Sequence, residues 1–134
     1  MKITDIKELE KIARKVRVSI IESTYNAKSG HPGGSLSVAD ILTVLYFNQM
    51  NIDENNPKAQ SRDRLVLSKG HVAPALYSTL AERGFFDKEN LKKLRKVDSI
   101  LQGHPDMKNI PGVDMSTGSL RTRIICSKWY GNCF

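Results

Sequence analysis

Sulfur, aromatic rings and long apolar runs are all scarce in this chain, and each shortage removes a class of protein. Two cysteines, Cys126 and Cys133, stand seven apart near the end of 134 residues. With no companion histidines and no second pair, they support neither a zinc site nor a disulfide framework. The single tryptophan is Trp129, in the same terminal stretch. Nowhere do about eighteen apolar residues run together, so no membrane helix is expected. The opening, MKITDIKELEKIARK, carries charges throughout and lacks the apolar core of a secretory leader, which makes the cytoplasm the expected compartment. Proline-rich, glycine-rich and acidic tracts are missing too, as are internal repeats and low-complexity segments.

What is there is ordinary for a soluble globular segment: 40% apolar and 26% charged residues. The length fits one domain, which at this size buries roughly two thirds of its unfolded surface. A net charge of +7 raises the question of nucleic acid, but Arg121, Arg123 and Lys128 lie in a final stretch that contains no acid, and without them the remainder carries +4. The run Lys92, Lys93, Leu94, Arg95, Lys96 has no interleaved aromatics and reads as a solvated helix face rather than a phosphate or nucleic-acid patch.

Ile6, Leu9, Ile12, Ala13, Val16 and Ile20 recur at three- and four-residue steps and predict an amphipathic first helix, started by Asp5 with Glu8 and stopped by the polar residues 26–30. A loop over 30–34 follows. Ser35 or Ser37 can cap a second helix whose apolar face is Val38, Ile41, Leu42, Leu45 and Tyr46, ending near Asn48. Residues 64–68 form a short apolar run that predicts one strand buried on both faces. A third helix is expected over 72–83, ended by Gly84, and a fourth over about 88–97 behind Asp87. Strand followed by helix suggests the α/β class. A lone parallel strand leaves its backbone groups unpaired, however, so the chain reads as part of a larger fold.

The three histidines each sit in a glycine-containing turn: Gly30-His31-Pro32-Gly33-Gly34, Ser68-Lys69-Gly70-His71 and Gln102-Gly103-His104-Pro105. Proline after His31 and His104 biases those residues to extended backbone, and the preceding glycine permits close approach. Imidazole donates, accepts and changes charge near neutral pH, so a converging trio suits proton transfer around a polar or anionic ligand. The plainer alternative is three solvated loop residues. His71 stands between the predicted strand and helix, where α/β proteins place ligands and where backbone amides favour an anion. Histidines 40 and 33 residues apart match no metal-ligand spacing.

The stretches SGHPGGSLSVADILTVLY, DRLVLSKGHVAPALYSTLAERGFF, QGHPD and PGVDMSTGSL, in this order, resemble transketolases, and in particular their separately encoded N-terminal subunits. The resemblance covers about residues 6–120. It implies an incomplete thiamine-diphosphate-binding domain of α/β class, a parallel sheet with flanking helices, of which this chain is the helix-rich N-terminal part with one clear strand. It further implies a cofactor that acts as electron sink while a two-carbon ketol unit passes between sugar phosphates. By resemblance His31, His71 and His104 are catalytic, with His71 at the diphosphate, His31 toward substrate and proton transfer, and His104 on a hydroxyl of the donor sugar. Gly118, Ser119 and Leu120 would contact the cofactor. A C-terminal transketolase subunit is the implied partner and the intact enzyme is implied to be multimeric, with no nucleic acid and no membrane involved. Another thiamine-diphosphate enzyme, such as a deoxyxylulose-phosphate synthase, is a neighbouring reading that GHPGG and SKGH disfavour. A non-catalytic interaction fragment is the alternative from a different class.

After STGSL the family continues with GQG, a GDG motif and a later asparagine that hold magnesium and the diphosphate; here the chain reads RTRIICSKWYGNCF instead. Magnesium is therefore expected of the family while its ligands are missing from this chain. Read one base out of register, permitted codons for that tail give Gly-Gln-Gly-Leu-Ser-Ala-Ala-Asn-Gly-Met-Ala-Ile-Ala, the family's continuation. Residues 1–120 are accordingly expected to be the domain and 121–134 an out-of-frame tail, and the chain as written is expected to be inactive alone.

Overall fold

Asp5, in extended backbone, accepts a hydrogen bond from the Lys7 amide at 3.1 Å and so satisfies one of the donors that a helix start leaves unpaired. The helix it opens, α1, runs Ile6–Ala27 and ends where Lys28 turns left-handed at φ 49° and donates back to Thr24 and Tyr25. A computed structural model describes residues 2–118 of the chain. Within them α1 is followed by α2, Pro32–Leu36, α3, Ala39–Val44, which runs into a π-helical turn at Leu45–Gln49, and α4, Ala73–Arg83. Short 3₁₀ turns at Gly70–Val72 and Lys88–Lys93 flank α4.

The core lies between α1 and α4, with α3 and the Lys88–Lys93 turn closing it. Ile12, Val16 and Ile20 of α1 meet Leu42, Tyr46 and Phe47, then Leu76, Tyr77 and Leu80 of α4, with Leu94, Leu101, Ile110 and Val113 from the later loops. Burying each such side chain contributes about 1.5–3 kcal/mol. Every residue of α4 from Ala73 to Ala81 is buried, so this helix is surrounded rather than amphipathic. The buried hydroxyls of Thr24, Thr43 and Thr79 each donate at 2.8 Å to the carbonyl four residues back, which removes most of the cost of burying them.

Several expectations are corrected. Ile6 is 72% exposed, because the first turn of α1 projects beyond the core, while Ile12, Ala13, Val16 and Ile20 are buried as the period predicts. Residues 32–36 of the expected loop are helical, and the second helix starts at Ala39 with Ile41 60% exposed; the π turn then rotates the chain so that Tyr46 and Phe47 are both buried. The fourth helix is only the six-residue 3₁₀ turn behind Asp87, whose side chain accepts from the Glu89 amide.

The expected strand over 64–68 is not formed, and no strand or parallel sheet occurs among the described residues. A strand needs a neighbour to take its amides and carbonyls, and none runs beside this segment. Its tie is a side chain instead: the Leu65 amide donates to Asp114 Oδ2 at 2.7 Å, and Asp114 Oδ1 pairs with the Arg62 guanidinium. Both partners are withdrawn from water, at 9% and 2% side-chain exposure. Tyr46 lies within the field of this pair, and burial first, then the Asp114 charge, hold its phenol protonated far above its ordinary range.

Removing one partner of a buried pair strands the other charge. Asp114→Asn should therefore lower the unfolding free energy by about 3–5 kcal/mol, read from urea unfolding followed by circular dichroism, whereas replacing Arg62 and Asp114 together by Met and Leu should recover most of it.

Candidate active site

His31 takes the position just before α2, and its carbonyl accepts from the Ser35 amide at 3.1 Å, so the helix that Pro32 opens fixes the backbone beneath the imidazole. Gly34 lets α2 lie against the Gly70–Val72 turn: a Cβ there would stand 3.0 Å from Val72 Cγ1 and 3.9 Å from His71 Nε2. That close approach brings the His31 and His71 rings to 5.3 Å between centroids in an edge-to-face arrangement at 70°.

His104 reaches the same place by another route. The Tyr77 hydroxyl, from inside the core, donates to the Gln102 carbonyl at 3.0 Å and ties the loop to α4. Burial, with a smaller push from the Asp106 charge, raises the Tyr77 phenol far above its usual range, so it remains a donor. On the far side of His104, Asp106 organises the next turn. It accepts from the Lys108 amide at 3.0 Å, from Asn109 Nδ2 at 2.6 Å and from Ser116 Oγ at 3.1 Å, and the Thr117 amide donates to the Pro105 carbonyl at 3.1 Å. The Lys108 amide first, then the Asn109 side chain, hold the Asp106 carboxyl below its ordinary value.

The result is convergence: His31, His71 and His104 line one cavity of about 40 Å³, with Pro74, Leu94 and Arg95 among its other walls. Gly118 follows Thr117, which is bonded to the His104 loop, and a Cβ on Gly118 would meet open space. Thr117 Oγ1, one residue before it, is buried with no hydrogen-bond partner among the described residues. Ser119 and Leu120 lie outside the described residues. Arg95 is the residue that sequence reasoning misplaced. Lys92 does stand in solvent, paired with Glu89 at 2.7 Å, but Arg95 lies past the end of the 3₁₀ turn at φ 62° with its guanidinium turned to the cavity rim. A charge run carries no signal that one member leaves the helix.

A family profile described as transketolase, thiamine diphosphate binding domain, matches residues 8–128. The chain belongs to the transketolase family. Over 113 residues it is 46% identical to the 6-deoxy-6-sulfo-D-fructose transketolase subunit of Clostridium sp., covering 84% of this chain and 41% of that one. It is 44% identical over 115 residues to an apulose-4-phosphate transketolase subunit of Phocaeicola vulgatus, covering 86% and 41%. A solved transketolase from Leishmania mexicana superposes with a TM-score of 0.83 at 33% identity, over 87% of this chain and 18% of that one. The described residues thus have the fold of the transketolase N-terminal domain, and the chain spans about two fifths of the length of the curated subunits it matches.

These residues fit one end of thiamine diphosphate. Three imidazoles, the uncrowded Cα of Gly118 and the orphaned Thr117 hydroxyl suit close approach and hydrogen bonding by a polar heteroaromatic ligand. The cavity is nevertheless far below the roughly 300–1,000 Å³ of a site that encloses a small molecule. Among the described residues no group of three or more His, Cys, Asp or Glu could hold a metal, and no helix is long and apolar enough to cross a membrane.

Two outcomes test the supports of this cavity. Tyr77→Phe should cost about 1 kcal/mol and shift the His104 ring signals in a histidine-selective nuclear magnetic resonance spectrum, since it deletes one donor to the loop. For Asp106 the folded pKa lies below the unfolded one, so its stabilisation is complete above the unfolded value and is lost as pH falls through the folded value. Urea midpoints measured from pH 7 to pH 3 should therefore show the advantage of the native chain over Asp106→Asn constant down to about pH 5 and shrinking below about pH 4.

Proposed function

We propose that this chain forms one wall of a site for two-carbon ketol transfer between sugar phosphates, completed by segments the chain does not contain and by a C-terminal transketolase subunit. The observation that carries this reading is the meeting of three loop histidines, far apart in sequence, in one cavity. Thiamine diphosphate, when bound, supplies the electron sink for the transferred unit.

The roles of this chain's own groups follow from what an imidazole can do. Each ring donates from one nitrogen and accepts at the other. His71, in the Gly70–Val72 turn that enters α4, would hold the diphosphate end through its imidazole. His31, edge-on to it, would face the substrate and move a proton at a ring nitrogen, and His104 would bind a hydroxyl of the donor sugar. Gly118, Ser119 and Leu120 would contact the cofactor's ring system. Magnesium would be held by residues outside those described, and without it the diphosphate charge would lack its counter-ion, so the described residues would not be active alone. Residues 121–134 are read as an out-of-frame tail, and the intact enzyme as a cytoplasmic multimer. The named subunits among its relatives support the two-chain part of this reading.

One observation favours a second reading, a non-catalytic interaction fragment: Tyr25 is 80% exposed and Ile41 60%, and Val18, Ile21 and Val44 are exposed near them in sequence, a surface that another chain could cover. Calorimetry separates the two. The chain as written, with a C-terminal subunit, should show no tight thiamine diphosphate and magnesium binding. A version carrying GQG and the downstream family sequence should bind, and in it His31→Ala or His71→Ala should lower ketol transfer by roughly 10²–10⁴-fold. Equal binding by both versions overturns the claim that the missing segment is required; binding by neither, with the C-terminal partner still captured, favours the interaction reading.

A further inference from the structure

Arg95 is held in a conformation that arginine rarely adopts. At φ 62° it stands in the left-handed region, which a side chain with a Cβ occupies only where its surroundings over-determine it. Its own amide donates to the Leu101 carbonyl at 2.9 Å, two residues before Gly103. From there the guanidinium reaches in two directions. Nη1 donates to the Ser29 hydroxyl, 66 residues away in sequence and two residues before His31. Nε and Nη2 lie 2.8 and 2.9 Å from the point that a Cβ on Gly103 would occupy, immediately before His104. Among the described residues no other hydrogen bond joins residues 29–31 to residues 95–104, and Arg95 forms no ion pair.

We propose that Arg95 is a positioning residue, a clamp that ties the His31 loop to the His104 loop and sets the opening between their imidazoles. The chemistry suits arginine and not lysine. A guanidinium is a rigid plane with donors on two edges, so one edge can bond Ser29 while the flat remainder lies against the bare Cα of Gly103. Glycine at 103 is explained by the same contact, since any side chain there would push the plane away from Ser29. Each loop is tied separately to α4, the His31 loop through Gly34 against Val72 and the His104 loop through Tyr77, and Arg95 joins the two directly at the rim, where it sets the opening between their imidazoles. The consequence for ketol transfer rests on the functional reading above; the clamp itself does not.

The test is made on the full chain, with labelled histidine and no cofactor, by comparing imidazole ring resonances of the native protein with Ser29→Ala, Gly103→Ala and Arg95→Lys. A clamp transmits each change across the cavity. Ser29→Ala should shift the His104 ring, and Gly103→Ala should shift the His31 ring, while thermal melting stays near native for Ser29→Ala, an exposed hydroxyl. Arg95→Lys should shift both rings and fail to restore the native spectrum although it keeps the charge. The proposal is overturned if each substitution moves only the ring on its own loop, or if Arg95→Lys gives the native spectrum. Should Arg95→Lys unfold the chain, the Ser29→Ala and Gly103→Ala spectra decide alone. Because no cofactor or sugar enters the measurement, a missing cross-cavity shift counts against the clamp, and a missing ketol-transfer activity counts against the functional reading.

Discussion

Helix α4 has no solvent-facing side between Ala73 and Ala81, and the position of every histidine depends on that. His71 stands on the turn that enters the helix. His31 is brought in by α2, which Gly34 allows to settle on Val72 at the same end. His104 hangs from the hydroxyl of Tyr77, one turn further along. A surrounded helix is costly to move, because any shift opens voids on all its faces at once. Three separate turns thereby acquire a common rigid reference, which holds their imidazoles in one place.

The same dependence explains which parts of the fold were legible. The start and stop of α1 were readable because capping and periodicity are local: Asp5 and residues 26–30 act within one turn of themselves. Helix α4 was readable as a helix, but its centrality was not. Ala73, Ala75, Ser78, Thr79 and Ala81 look like surface-tolerant residues, and only the packed chain shows that their smallness admits neighbours from every side. The strand over 64–68 was predicted from apolar, β-prone residues, yet a strand is a property of a pair. The three histidines were found from their shared turn setting and from the family resemblance, and the structure unites them. Arg95 was missed because its role lies in contacts to positions 29 and 103, which no local charge pattern encodes.

Asp114 shows how a segment without a sheet is anchored. Its carboxylate takes the Leu65 amide and the Arg62 guanidinium together, so one buried side chain substitutes for part of a missing ladder. The arrangement is specific but brittle. Hydrogen bonds to a neighbouring strand are shared among many residues, whereas here Asp114 alone holds Arg62 and the Leu65 amide while Asp63 exchanges bonds with Asn51, and the turn that follows carries His71. Charge buried in this way holds a geometry more surely than it adds stability.

A cavity of 40 Å³ bordered by exposed imidazoles is a poor binding site and a good half of one. If the remaining walls come from elsewhere, the histidines must already be arranged before those walls arrive, because ordering them at the moment of assembly would subtract side-chain and loop entropy from the binding free energy. The two kinds of tie seen here answer that requirement differently. Tyr77 anchors one loop to the core from beneath, out of reach of any partner, while Arg95 joins two loops at the rim, where an incoming chain or ligand can reach it. The buried tie fixes where the wall stands; the exposed tie leaves its opening adjustable by whatever completes the site.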